Sequence, residues 1–107
     1  MSTQVVFTGT AKNDLREIAV HLANRSGSRE LAVRFVRELQ EQSAILAQFP
    51  AAGAFPQDRL LKSSGFRFLT HKDYLLFCRY ERAEGRVYIM AIFHGRRDYL
   101  RVMQQYL

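Results

Sequence analysis

Tryptophan is absent from this chain of 107 residues, cysteine occurs once, proline twice and histidine three times. The lone Cys78 excludes an intrachain disulfide and a cysteine-built metal framework, which fits a reducing compartment. Its place inside the apolar run 74–80 gives it a packing role. Three scattered histidines and one cysteine do not supply the clustered ligands that a metal requires, so no metal and no other cofactor is expected. Long hydrophobic runs are lacking too: the longest, residues 87–93, falls far short of the roughly 20 residues that span a bilayer. Met1-Ser2-Thr3-Gln4 has neither the charged nor the apolar region of a secretory signal. A soluble, cytoplasmic protein with no membrane partner is the expectation. No repeat, low-complexity tract or nucleophile elbow is present, and the serines fall at helix caps or in loops, so Ser- or Cys-based nucleophilic catalysis has no support.

Acidic residues are also scarce. Ten Asp and Glu stand against sixteen Lys and Arg, giving a formal charge of +6 and a pI near 10.0. Residues 1–49 hold six basic and five acidic residues, whereas residues 50–107 hold ten and five. The basic surface therefore belongs to the C-terminal half, and it favours nucleic acid or an acidic protein segment as partner. With 48% hydrophobic residues the chain is long enough for one packed domain and too short for two, so residues 1–107 read as one domain.

Gln4-Val5-Val6-Phe7-Thr8 reads as a short strand bounded by Gly9. Thr10 is then suited to cap a helix over about 11–24, with Asp14 and Glu17 toward its positive end, Leu15, Ile18, Ala19 and Leu22 on one buried face, and Gly27 beyond its end. Ser28 is suited to cap a second helix, running to about 48, in which Ala32, Phe35, Val36, Leu39, Ser43 and Leu46 recur at spacings of three and four. Its outer face offers Arg34–Glu38 and Arg37–Glu41 pairs worth about 0.2–0.5 kcal/mol each. The two helices should form an antiparallel hairpin. Residues 50–64 lack periodicity and read as a loop, long enough to carry function or to hold a short strand or helical turn. After Gly65 the period becomes two. Strands over 66–70, 73–82 and 86–93, joined by His71-Lys72-Asp73 and Ala83-Glu84-Gly85, form a meander. Leu75 and Phe77 face one side of it and Leu76 and Cys78 the other. One side should pack on the hairpin, and the other needs a cover, either the segment Tyr99-Leu100-Arg101-Val102-Met103 or a partner protein.

The richest stretch is 86–99, where Val87-Tyr88-Ile89-Met90-Ala91-Ile92-Phe93 runs into His94-Gly95-Arg96-Arg97-Asp98-Tyr99. A buried strand holds its end rigidly, so the imidazole and guanidinium groups just past it are aimed. His94 there is placed to donate a hydrogen bond or shuttle a proton. Arg67 and Arg79 on neighbouring strands add to one cationic surface if the register turns them the same way. The alternative is that His94 and Asp98 lock the strand–helix corner while Arg96 and Arg97 stay solvated. His21 and His71 read as surface residues.

Those 86–99 residues, together with Asp73-Tyr74-Leu75-Leu76-Phe77-Cys78-Arg79-Tyr80 and the helical N-terminal half, resemble the RelE/ParE superfamily of toxins of type II toxin–antitoxin systems over nearly the whole chain. Tyr74-Leu75-Leu76-Phe77 and His94-Gly95-Arg96-Arg97-Asp98 look typical of the ParE branch. The resemblance implies an α+β fold with an N-terminal strand, a helical hairpin, a three-stranded antiparallel meander and a short C-terminal helix. It further implies growth inhibition by binding and poisoning DNA gyrase, a role in plasmid stabilisation, and neutralisation by a cognate acidic antitoxin in a toxin–antitoxin hetero-oligomer. The RelE branch implies the alternative, a ribosome-dependent mRNA endoribonuclease whose partners are the translating ribosome and mRNA. Carried over onto this chain, the nuclease set would be Arg97, His94 and Arg67, with Tyr99 or Tyr106 in the place of a C-terminal tyrosine. Leu75, however, stands where those nucleases have a central-strand arginine, which removes a guanidinium from the scissile phosphate. The expectation is therefore a non-enzymatic gyrase inhibitor whose target-binding residues are His94, Arg96, Arg97, Asp98, Tyr99 and Arg67. A basic nucleic-acid-binding module without toxicity would also satisfy the charge.

Overall fold

The computed structural model describes residues 3–107. Strand β1 (Gln4–Phe7) ends at Thr8, whose hydroxyl donates to Ile89 O at 2.9 Å and accepts from the Ala11 N–H at 3.1 Å. One side chain thus ties the strand end to the sheet and caps the helix that follows. Helix α1 accordingly spans Gly9–Ser26, starting earlier than a Thr10 cap would allow, and it carries no acid in its first turn. Asp14 and Glu17 lie too far along it to complement the dipole, a correction to the expected role. Gly27 closes α1 with a φ of 69°, the left-handed value that glycine adopts without strain.

Ser28 caps α2 (Arg29–Ser43) by accepting from the Leu31 N–H at 3.1 Å, and a 3-10 turn over residues 44–47 continues it. Leu39 and Leu46 are fully buried and Phe35 and Val36 half-buried, so the face read from the spacing is the face that packs. Glu38 departs from expectation. It crosses to the sheet, where His71 Nε2 lies 3.0 Å and Lys72 Nζ 3.4 Å from its carboxylate, in place of the Arg34 pairing. His71 is consequently half-buried against Phe35, with ring centroids 5.5 Å apart, and is no free surface residue.

Strands β2 (Phe66–His71), β3 (Tyr74–Glu81) and β4 (Arg86–His94) form the antiparallel meander, and Gly85 supplies a φ of 66° at the second turn. β1 lies parallel to β4, from Gln4↔Arg86 to Phe7↔Ile89, and makes the sheet order β1-β4-β3-β2. Phe77 opposes Ala91 while Cys78 opposes Ile89, so Met90 is the extra residue of a bulge. The bulge restores Ile89 and Val87 to the face that Ile92 also occupies, toward the helices.

The sheet therefore has two cores. Leu15, Ile18, Leu39, Leu46, Leu76, Cys78, Val87, Ile89 and Ile92 fill the side under the hairpin. Phe66, Phe77, Ala91 and Phe93 fill the other, closed by Leu61 of α3 (Arg59–Ser63) and Met103 of α4 (Tyr99–Met103). Each fully buried Leu or Phe contributes about 1.5–3 kcal/mol by leaving water. The C-terminal segment provides the expected cover, and α3 is a helical turn inside 50–64, capped by Asp58 accepting from the Leu61 N–H at 2.9 Å. Among the described residues no helix is long and apolar enough to cross a membrane.

Candidate functional site

Four backbone and ring contacts fix the end of β4. The Gly95 N–H donates to Asp73 O at 2.7 Å, and a Cβ at Gly95 would come within 3.2 Å of that oxygen, so a side chain here would push the two turns apart by a few tenths of an ångström. The Arg97 N–H donates to His94 O at 3.0 Å and closes the turn. His94 sits opposite Tyr74 in the register, ring edge to ring face with centroids 5.3 Å apart. Its Nδ1 accepts from the Arg96 N–H at 3.0 Å, which leaves Nε2 as the ring's proton-bearing atom in the neutral form. Tyr74 in turn meets Phe35 at 5.2 Å, and Phe35 meets His71, so four rings run in a row from Glu38 to His94. At the hairpin tip Lys72 holds a positive φ of 52°, a strain offset by its contacts with Glu38 and with the Phe35 ring.

Between this corner and α1 lies an open cleft of about 460 Å³, walled by Asp14, Glu17, His21 and Arg25 on one side and by Tyr74, His94, Arg96 and Arg97 on the other. A second hollow of about 420 Å³ adjoins it over His21, Arg25, Tyr74 and His94 and extends to Lys72 and Asp73. The lining carries both signs, Asp14 and Glu17 against Arg25, Arg96 and Arg97, and the Arg97 charge reaches the Asp14 carboxyl. Asp14 Oδ2 accepts from the Ile92 N–H at 2.9 Å, filling the edge of β4 that β1 is too short to reach. Burial pushes the Asp14 carboxyl up from its ordinary value, Glu17 adds to this, and the Ile92 N–H and Arg97 oppose it. Burial likewise pushes the Tyr74 phenol up, against the pull of Arg25. Chemically the cleft is a mixed lining of carboxylates, imidazoles and guanidiniums, in which the exposed Arg96 and Arg97 suit the anionic or polar surface of a macromolecule. Among the described residues no group of three or more His, Cys, Asp or Glu is arranged to hold a metal ion.

His94, Arg96 and Arg97 are thus brought together. Asp98 is placed as the cap of α4, its Oδ1 3.4 Å from the Arg101 N–H, and Tyr99 stacks on Phe77 at 5.8 Å within the second core. Arg67 is set apart: its guanidinium donates to Ala51 O and Gly53 O, each at 3.2 Å, and lies 3.9 Å from the Phe55 ring centroid. The register pairs Arg67 with Cys78 and Phe66 with Arg79, so Arg67 and Arg79 point to opposite faces of the sheet. The convergence of these two arginines on the corner is not found. The opposing wall of Asp14, Glu17, His21 and Arg25 lies outside the expected site, in which Asp14 and Glu17 have only a helix-dipole role and His21 is a surface residue. Their steps of three, four and four form a polar stripe beside the apolar face of α1, which was the available signal.

A strand, a helical hairpin and a meander closed by a short C-terminal helix, with a cationic corner at the end of β4, define a RelE/ParE-type toxin fold. A family model described as the ParE toxin of the type II toxin–antitoxin system parDE matches residues 5–99, and the chain belongs to that family. Of solved structures, the chain is similar to one of the chromosomal ParDE toxin–antitoxin system from P. aeruginosa, at 24% identity over 86% of this chain and 95% of that one, with a TM-score of 0.71. It is also similar to one of the RelBE2 toxin–antitoxin complex from Mycobacterium tuberculosis, at 22% identity over 88% of this chain and 99% of that one, with a TM-score of 0.65. No curated protein matches the sequence.

Proposed function

We propose that this toxin acts by binding DNA gyrase, that His94, Arg96 and Arg97 with Arg25 across the cleft form the surface it presents, and that a cognate acidic antitoxin neutralises it. The observation that carries the choice against RNA cleavage is Leu75. At the central-strand position where an endoribonuclease of this fold needs a guanidinium, Leu75 packs into the second core beside Phe93 and Tyr99. A phosphate there would meet an apolar wall and gain no charge stabilisation. The endoribonuclease reading also requires Arg67 beside Arg97 and His94, whereas Arg67 is spent on two loop carbonyls. Arg96 and Arg97 are exposed on a turn held by backbone hydrogen bonds, so a partner would meet them with little loss of backbone freedom. An antitoxin partner is supported by the family and by the ParDE and RelBE2 descriptions of the two similar structures. Inducing the chain in growing cells should produce gyrase-dependent DNA breaks. Codon-specific cuts in translated mRNA, with intact DNA, would overturn the proposal.

A further inference from the structure

Residues 48–58, which lead from α2 toward α3, are held in one shape by contacts that serve no part of the cleft. Ala54 and Phe68 exchange N–H···O bonds of 2.9 Å, adding a short bridge to the outer edge of β2. Arg67 clamps the carbonyls of Ala51 and Gly53. Gly53 is buried so closely that a Cβ would lie 3.0 Å from Arg67 Cβ and 3.1 Å from Phe68 O. This ordered edge nevertheless turns large apolar side chains outward: Phe49 is 59% exposed, Phe55 49% and Leu60 64%, while the adjacent Leu61 is fully buried. Lys62 Nζ and the Arg67 guanidinium lie 4.9 and 3.9 Å from the Phe55 ring centroid. Asp58 is the one acid between residues 48 and 70, and one of its carboxylate oxygens caps α3.

We propose that this edge, centred on Phe55 and Leu60, is a docking surface for an acidic amphipathic segment of the antitoxin, separate from the His94–Arg97 corner; the proposal rests on the toxin–antitoxin reading above. Apolar anchors of such a segment would cover Phe55 and Leu60, and its carboxylates would meet Arg59 and Lys62, which make no ion pair among the described residues and, with Arg67, outnumber Asp58 three to one over residues 48–70. A loop already fixed by its bridge and clamp loses little freedom on binding, so the ordering cost falls on the partner segment alone. Single-stranded nucleic acid fits less well. Stacking a base needs a free aromatic face, but the Arg67 guanidinium already lies on the Phe55 ring.

The test uses the full chain and the acidic protein encoded beside it. Amide exchange is followed over residues 48–64 with and without that protein, and binding kinetics are compared for the wild type, Leu60→Asp and Phe55→Ser. Protection of these amides on binding, with at least tenfold weaker affinity for Leu60→Asp through faster dissociation, is expected. Because Leu60 is turned to solvent, the thermal unfolding of Leu60→Asp should match that of the wild type, which keeps the result independent of Phe55→Ser folding. Tight binding by all three proteins without protection overturns the docking surface and leaves the toxin–antitoxin reading intact. No binding by the wild type overturns both. Protection by a single-stranded oligonucleotide and not by the acidic protein would reassign the surface to nucleic acid and refute the proposal.

Discussion

Asp14 is the residue by which α1 locks onto the part of β4 that β1 leaves unpaired, and replacing it separates a hydrogen bond from a charge. β1 pairs with β4 only as far as Phe7↔Ile89, so the Ile92 N–H beyond it has no strand partner, and Ile92 is only 2% exposed. Asp14→Ala leaves that buried donor unmatched, which costs about 1–3 kcal/mol. At roughly 4–8 °C per kcal/mol for a domain near this size, Tm should fall by about 4–24 °C. Asp14→Asn keeps an acceptor oxygen in place and removes only the charge. Since burial raises the native carboxyl pKa above 3.8, the folded chain binds this proton more tightly than the unfolded chain. The group's stabilising contribution is therefore full below 3.8 and is lost as pH rises through the elevated native value. Urea unfolding followed by circular dichroism between about pH 3 and 7 should show the Asn variant gaining on the wild type as pH rises, and the Ala variant remaining below both. If Asn proves as damaging as Ala at neutral pH, the charge facing Arg97 and not the acceptor holds the joint. A neutral Ala variant would refute the lock altogether.

Changing Arg96 and Arg97 together to Ala should abolish growth inhibition while shifting stability by less than about 0.5 kcal/mol, because both are exposed; unfolding of the double variant would make the corner structural. The His71 hydrogen bond, supported by Lys72, holds the Glu38 carboxyl below its usual value of 4.5. The stabilisation it gives is present above 4.5 and lost as pH falls through the lowered native value, so the gap between wild type and Glu38→Gln in chemical unfolding should close in acid. A gap that widens in acid would contradict the pairing. Burial pushes the Cys78 thiol up to about 11. At pH 8 about one thiol in a thousand is then ionised, so a thiol reagent should label Cys78 only after denaturation, and prompt labelling of the native protein would show that the core under the hairpin opens.

What the sequence disclosed was whatever depends on neighbours along the chain. Ser28 and Gly27 act through local hydrogen bonds, and the two-residue period of 66–70 fixes which side chains share a face, so caps, strands and the burial of Leu39 or Phe77 were legible. Contacts across the fold were not. Thr8 displaces Thr10 as the cap because its hydroxyl also reaches Ile89 O, a bond available only once β1 lies beside β4. Glu38 leaves Arg34 for His71 because α2 packs over the end of β2. The opposite facing of Arg67 and Arg79 follows from a register that alternation alone leaves free. Of the expected site, His94, Arg96 and Arg97 could be read because a strand end aims them. The opposing wall of Asp14, Glu17, His21 and Arg25 needed α1 to be laid against β4.

Gyrase binding through the β4 corner, without RNA cleavage, is the proposed action of the chain. Its most direct test is a gyrase supercoiling reaction with the purified protein, run beside a translation reaction in which mRNA cleavage is scored. Inhibition of supercoiling by the wild type, its loss in the Arg96→Ala, Arg97→Ala double variant, and intact mRNA in both are the predicted result. Unimpaired supercoiling with ribosome-dependent cleavage of the mRNA would contradict it.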